Sequence, residues 1–289
     1  MNDPIIITRN LSHIYQPGPL QHQALLDVSL EIRRGSCTAI VGVTGSGKST
    51  LVQHFNALLR PTAGDVIVDG IDAGRTADVR SLRRRVGMLF QSPEMQLFAP
   101  TVAADVAFGP RRLGLPAEEV HQRVSAALDI VGLPAARYGQ RSPFALSGGQ
   151  MRRIALAGVL ASDPAVLVLD EPSVGLDAAG RDEIYSIVRR VQRQEGVTVV
   201  LVSHDMAEVA ALADQVMVLH AGRLVEAGPP HSIFARAERL PAWGLLAPPL
   251  SELLALVRQG GVDVPASVAT LEQAFAAISS LRAGKDSTK

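Results

Sequence analysis

The feature that most constrains this chain is the run Gly42-Val43-Thr44-Gly45-Ser46-Gly47-Lys48-Ser49-Thr50, placed between an apolar stretch ending at Val41 and a helical pattern beginning at Ser49. Glycines at those spacings let backbone N–H groups close around phosphate oxygens, and the following helix offers its positive end. Lys48 then reaches the outer phosphates and Ser49 becomes a magnesium ligand. A chance match to such a loop is expected on the order of 0.002 times in a chain of this length. Only three lysines occur, Lys48, Lys285 and Lys289, while arginine fills every other basic position. A compact ammonium on a flexible stem is therefore kept for the loop.

A P-loop needs a strand before it and a parallel sheet around that strand. Short apolar runs bounded by turn residues supply one at Ile5–Thr8, Cys37–Val41, Val86–Phe90, Val166–Leu169, Val197–Val202 and Val216–Leu219. Several lack alternation, as strands buried on both faces do. Ser49–Leu59 and Ile184–Gln194 read as helices between them, so the frame is α/β. Ala24–Ile32 and Asp65–Val68 read as a small antiparallel sheet beside the main one. From Thr101 to Leu160 the text is Ala-rich and helical, an inserted helical subdomain counted from about residue 95 to 160. Beyond Phe234, Pro241, Pro248 and Pro249 punctuate a linker to two short amphipathic helices, Ser251–Gln259 and Val268–Arg282; in the second, Leu271, Phe275, Ile278 and Leu281 share a face.

Carboxylates follow the strand Ala165–Leu169 as Asp170-Glu171-Pro172. Pro172 biases Glu171 toward extended backbone, which would aim the two carboxylates to opposite sides of the strand end. Asp170 is the candidate magnesium ligand and Glu171 the group that activates water. Gln91 and His204 each follow an apolar run, at the sheet edge where ligands bind. Gln91 is a catalytic candidate beside Glu171 and joins Ser49 and Asp170 as a metal candidate; His204, singly readable as a structural histidine, is in this set a catalytic candidate in contact with the terminal phosphate. Ser147-Gly148-Gly149-Gln150 opens another helix, with capping-box spacing between Ser147 and Gln150 and uncovered N–H groups between them.

Taken together, residues 5 to 230 resemble the ATP-binding-cassette ATPases. The resemblance implies a P-loop NTPase core of RecA-like type over residues 1–235, carrying an antiparallel β subdomain and the helical insert, with ATP and Mg²⁺ as ligands. It further implies that two such units meet head to tail, so that Ser147 and Gly149 of one touch the γ-phosphate held by the other. Tyr15 matches the aromatic that stacks on adenine, and Asp177, in Ser173-Val174-Gly175-Leu176-Asp177, matches the loop that crosses between units. A serine opens that stretch, a mild variation.

Ser92-Pro93-Glu94-Met95-Gln96-Leu97-Phe98 followed by Asp105-Val106-Ala107-Phe108-Gly109-Pro110 looks like the segment of energy-coupling factor transporter ATPase subunits. The LSGGQMRRIALAG run from Leu146 to Gly158 and the early Tyr15-Gln16-Pro17-Gly18 are similar to their A-prime type. That similarity implies uptake of a vitamin or transition-metal ion, a peripheral place at the cytoplasmic face of the membrane, and a tail over residues 236–289 that helps ATPase subunits associate. The partners implied are a second homologous ATPase subunit, a transmembrane coupling subunit and substrate-capturing membrane proteins. Met95, Leu97 and Phe98 are either a docking surface or core of the helical insert.

Composition excludes other classes. The 28 Lys and Arg balance 28 Asp and Glu, so no cationic stripe suits a nucleic-acid partner. A soluble cassette acting on DNA or ribosomes, or the ATPase of a conventional importer, is the alternative reading. No apolar stretch of about 18 residues would span a bilayer, and the start lacks the pattern of a secretory signal. The single Cys37 builds neither a disulfide framework nor a Cys-type zinc site, as expected of a chain that stays in a reducing cytoplasm.

Overall fold

The computed structural model describes residues 3–16, 18, 21–261, 264 and 274–276. Strands run β1 (Pro4–Tyr15), β2 (His22–Arg33), β3 (Cys37–Val41), β4 (Ala63–Val68), β5 (Ile71–Asp72), β6 (Val86–Leu89), β7 (Val166–Asp170), β8 (Thr198–Val202), β9 (Gln215–His220) and β10 (Arg223–Gly228). Helices run α1 (Lys48–Phe55), α2 (Val79–Arg85), α3 (Val102–Val106), α4 (Phe108–Arg112), α5 (Ala117–Ile130), α6 (Ala135–Tyr138), α7 (Gly148–Leu160), α8 (Ala178–Gln194), α9 (Met206–Leu212), α10 (Pro230–Phe234) and α11 (Pro249–Gln259). Among the described residues no helix is long and apolar enough to cross a membrane.

Two sheets form among the described residues, one of order β10-β9-β3-β8-β7-β6 and one of order β2-β1-β4-β5. In the larger, β3, β6, β7, β8 and β9 are parallel, with β10 antiparallel at the edge. Every residue of β3 and β8 is buried, which explains why their apolar runs do not alternate. Alternation survives inside the core instead. Leu167 and Leu169 pack with Ile184, Val188 and Val191 of α8, while Val166 and Val168 face Leu51, Val52 and Phe55 of α1. Burying a side chain the size of Phe55 contributes roughly 2–3 kcal/mol.

The second sheet is entirely antiparallel, as its sequence pattern suggests, but β1 is far longer than Ile5–Thr8 and carries Tyr15 at its end, paired with His22. Two glycines let this sheet approach the P-loop. At Gly47 (φ +103°) a Cβ would lie 2.5 Å from the carbonyl oxygen of Ala24, and at Gly222 (φ +75°) 2.8 Å from that same oxygen. Leu26 N–H donates to Gly222 O across the seam at 2.8 Å.

Helices α3 to α7 lie between β6 and β7, without a strand, and bury Val102, Val106, Val124, Leu128 and Ile154 against one face of the larger sheet. After β10, the chain from Ile233 to Ala247 packs on Val41 of β3 and on Met206 and Val209 of α9. The first tail helix appears as α11, starting two residues early at Pro249, a residue suited to a first helical position. Of the expected helix Val268–Arg282 only residues 274–276 are described, and they are helical; Leu271, Ile278 and Leu281 lie outside the described residues.

Candidate functional site

Because β3, β6, β7 and β8 are parallel, their carboxyl ends open on one edge of the sheet. There Tyr15, His22, Ala24, Thr44, Gly45, Gly47, Lys48, Ser49, Thr50, Gln91, Asp170 and Glu171 line one cleft. Lys48 Nζ donates to Gly42 O (2.7 Å) and Val43 O (3.0 Å), which curls the loop around its own ammonium. Burial lowers the Lys48 pKa, while the nearby Glu171 and Asp170 carboxylates raise it. Ser46 is buried, and Gly42 and Val43 line a neighbouring groove that shares Thr44 with the cleft.

Asp170 hydrogen-bonds to Ser49, and its pKa is raised chiefly by burial, with that hydrogen bond opposing the rise. Ser49, Asp170 and Gln91 together offer a hydroxyl, a carboxylate and an amide oxygen on the wall of one cleft. Oxygen donors with a single carboxylate suit Mg²⁺, which keeps several waters and takes its remaining ligands from phosphates. A cation beside the half-buried Asp170 would favour its charged form, opposing the effect of burial. No cluster of three or more His, Cys, Asp or Glu fit to hold a transition metal occurs among the described residues.

Glu171 does not adopt the extended backbone expected before a proline. Its φ is +56°, and its N–H is tied to Val202 O of β8 at 2.9 Å. The tether to the adjacent strand turns the chain immediately after β7, outweighing the local preference. The turned carboxylate is nearly buried and meets His204, whose Nδ1 lies 2.6 Å from Glu171 Oε2. The histidine itself is largely exposed and lines the neighbouring groove rather than the cleft. It is thus not a buried structural histidine, and the groove it lines adjoins the cleft at Thr44, which borders both.

Tyr15 is partly exposed at the cleft, with its hydroxyl 3.2 Å from Thr50 Oγ1 and its ring edge-on to His13. Behind it, His54 Nδ1 donates to Thr50 O at 2.7 Å, and the His13 Nδ1–H is shared between Arg60 O at 3.1 Å and His54 Nε2 at 3.2 Å. Burial pushes the His54 pKa down to about 4, which keeps that acceptor free. The relay fastens β1 to α1.

Ser147–Gln150 stand apart from all of this. The capping box forms as its spacing predicts, with Ser147 Oγ accepting from Gln150 N–H and the Gln150 side chain accepting from Ser147 N–H. None of Ser147, Gly148, Gly149 or Gln150 lines the cleft. Met95, Leu97 and Phe98 separate: Leu97 is buried in the helical core, whereas Met95 is 84% exposed and Phe98 60%. Phe98 meets the exposed Phe108 edge-to-face at 4.8 Å.

Two residues missed by sequence reasoning matter here. His22 lines the cleft opposite Tyr15, a placement readable only once β1 and β2 are paired in register. Glu208, on α9, is buried; loss of water raises its carboxyl pKa, and the hydroxyls of Ser203 and Ser173 pull the other way. A single acidic residue in an Ala-rich helix gives no such signal in sequence.

A family model described as ABC transporter matches residues 25–174. The chain belongs to the ABC transporter ATPases. An energy-coupling factor transporter ATP-binding protein EcfA2 of Symbiobacterium thermophilum is 53% identical, over 97% of each chain. The protein named EcfA1 in that organism is 45% identical, over 97% of this chain and 99% of its own. Among solved structures, cbiO1 of Clostridium perfringens, described as part of the ABC transporter complex cbiONQ, superposes with a TM-score of 0.75 at 36% identity, covering 88% of this chain and 99% of that one. The cassette MJ0796, solved as a dimer in a post-hydrolysis state bound to ADP and Pi, gives 0.69 at 28% identity, covering 78% and 98%. Within the family this chain is an ATP-binding and ATP-hydrolysing subunit of an energy-coupling factor importer. These relatives favour that reading over a soluble cassette acting on nucleic acid or ribosomes.

Proposed function

We propose that the chain binds Mg-ATP along the cleft and that Glu171, aligned by His204, accepts the proton of the attacking water. The observation carrying this is the 2.6 Å contact between His204 Nδ1 and Glu171 Oε2 at the rim beside Lys48. A ring N–H donated to the carboxylate fixes which oxygen faces the cleft, and orientation of a general base is what apo geometry can supply. Tyr15 stacks on the adenine, and the P-loop from Gly42 to Thr50 cradles the phosphates. Ser49, Asp170 and Gln91 would hold Mg²⁺, which when bound neutralises charge on the phosphate oxygens.

The cleft is one half of a site. Ser147, Gly148, Gly149 and Gln150 serve the nucleotide held by a second homologous ATPase subunit, and that subunit's equivalent serves this one. ATP favours the closed pair because its γ-phosphate contacts both halves only there. The A-prime similarity and the higher identity to EcfA2 than to EcfA1 of one organism support an unlike pair, with the tail assisting association. Exposed Met95, Phe98 and Phe108 form an apolar patch that receives a transmembrane coupling subunit, placing the chain peripherally at the cytoplasmic face of the membrane. Substrate-capturing membrane subunits complete the importer, whose cargo is a vitamin or transition-metal ion.

Glu171→Gln keeps the shape of the site but removes the base. ATP affinity stays within about threefold while turnover falls by roughly a hundredfold or more, and the ATP-bound pair accumulates on size exclusion. Wild-type turnover in that variant would remove Glu171 from the role given to it.

A further inference from the structure

Arg152, in the second turn of α7, is buried, and its guanidinium addresses three groups on two separate segments. Nη1 donates to Pro172 O at 3.1 Å and to Val174 O at 2.5 Å. Those carbonyls flank Ser173, in the loop that leaves Glu171 and leads to Asp177. Val174 N–H in turn points back at Glu171 O, at 3.4 Å. On the other side, Nη2 lies 3.9 Å from Glu94 Oε2. Glu94 sits in the single turn Pro93–Gln96, immediately before the exposed Met95.

A planar fork meets two carbonyls with one nitrogen and faces a carboxylate with the other, a fixed spread that the single nitrogen of an ammonium does not reproduce. Its burial makes the arrangement consequential, because a desolvated cation follows its counter-charge. Glu94 is the acidic group in an ion pair with it. Displacing Glu94 therefore shifts Arg152, and Arg152 shifts the loop whose Val174 N–H meets Glu171.

We propose that Arg152 is a positioning residue for hydrolysis and that, through Glu94, it transmits the state of the Met95–Phe98 docking segment to the loop carrying Glu171. This rests on the reading of Met95, Phe98 and Phe108 as the place where the membrane partner docks. A loop held only for stability would move folding and nucleotide affinity together; a positioning role moves kcat alone.

The test compares ATP turnover by the detached ATPase pair and by the complete membrane-embedded complex. Arg152→Ala should lower kcat by about tenfold or more, with the KM for ATP within twofold, since a small misplacement of a reacting group is enough for such a loss. Arg152→Lys, which keeps the charge but not the fork, should fall nearly as far. Glu94→Gln, at a partly exposed site where folding is not at risk, should leave the detached pair within twofold yet change the ratio of complex to detached turnover about fivefold. In an Arg152→Lys background the Glu94 substitution should add nothing. A KM that rises with the loss of kcat, an unchanged ratio in Glu94→Gln while the subunit still co-purifies with its partners, or independent, multiplying effects of the two substitutions would overturn the proposal. Phe98→Asp separates the two readings: retention of that variant on the complex overturns the docking surface, while the kcat effect of Arg152 is read on the detached pair.

Discussion

The helix after the P-loop and the helix after Ser147 each present an amino terminus suited to an anion, yet only the first has company. Around the start of α1 the sheet gathers Lys48, Ser49, Gln91, Asp170 and Glu171 on one cleft, with Tyr15 brought in by the second sheet. Around the start of α7, Ser147 and Gln150 satisfy one another and line no part of that cleft. The difference teaches where the reaction is divided. On the proposed reading, one region holds the groups that grip and attack a phosphate, and the other holds donors for a nucleotide bound by a second chain.

Breaking that division takes a substitution at the lonely end. Ser147→Arg fills the approach to α7 without touching the cleft, so ATP affinity of the variant's own P-loop should stay within twofold. Turnover at the site it faces in the pair should drop about a hundredfold, the scale for losing donors aimed at developing charge. Single-turnover assays on mixed pairs, with the variant in one subunit only, read the two sites separately. Equal loss of affinity at its own P-loop would merge the two regions into one.

A smaller effect sharpens the gripping side. Tyr15→Ala should weaken ATP binding about tenfold, in line with the loss of one base-stacking platform. Calorimetry should show the weakening for ATP and ADP alike, because a base-stacking contact is common to both nucleotides. Tyr15→Phe should retain stacking and lose only the Thr50 contact, leaving affinity within twofold.

Much of the gripping side is legible in the sequence because strands of a parallel sheet announce themselves. Cys37–Val41 and Val166–Leu169 are apolar throughout, and polar residues directly after such runs must fall at the carboxyl edge. What escapes is whatever a distant element decides. Glu171 reads as extended from Pro172, but its N–H is claimed by Val202, thirty-one positions on. Leu97 turns inward while Met95 and Phe98 turn outward, within a segment too short for helical spacing to sort them. Arg152 looks like a solvated charge beside Arg153 until the loop after Glu171 is folded over it. The capping box at Ser147 is the opposite case, local in sequence and local in structure.

Asp177 tests the boundary between the two regions most finely. In the single chain it has an ordinary task as the N-cap of α8, with Oδ1 accepting Gly180 N–H at 2.8 Å. Removing that acceptor in Asp177→Ala should cost about 1 kcal/mol of stability, read as a lowered Tm of the isolated subunit. Asp177→Asn keeps an acceptor oxygen and should melt with the parent. If the loop also faces the second subunit, the missing charge should still slow turnover of the pair severalfold, with no change in ATP affinity. Full turnover in the asparagine variant would confine Asp177 to its own helix and leave Ser147 to Gln150 as the sole contribution this chain makes to its neighbour's nucleotide.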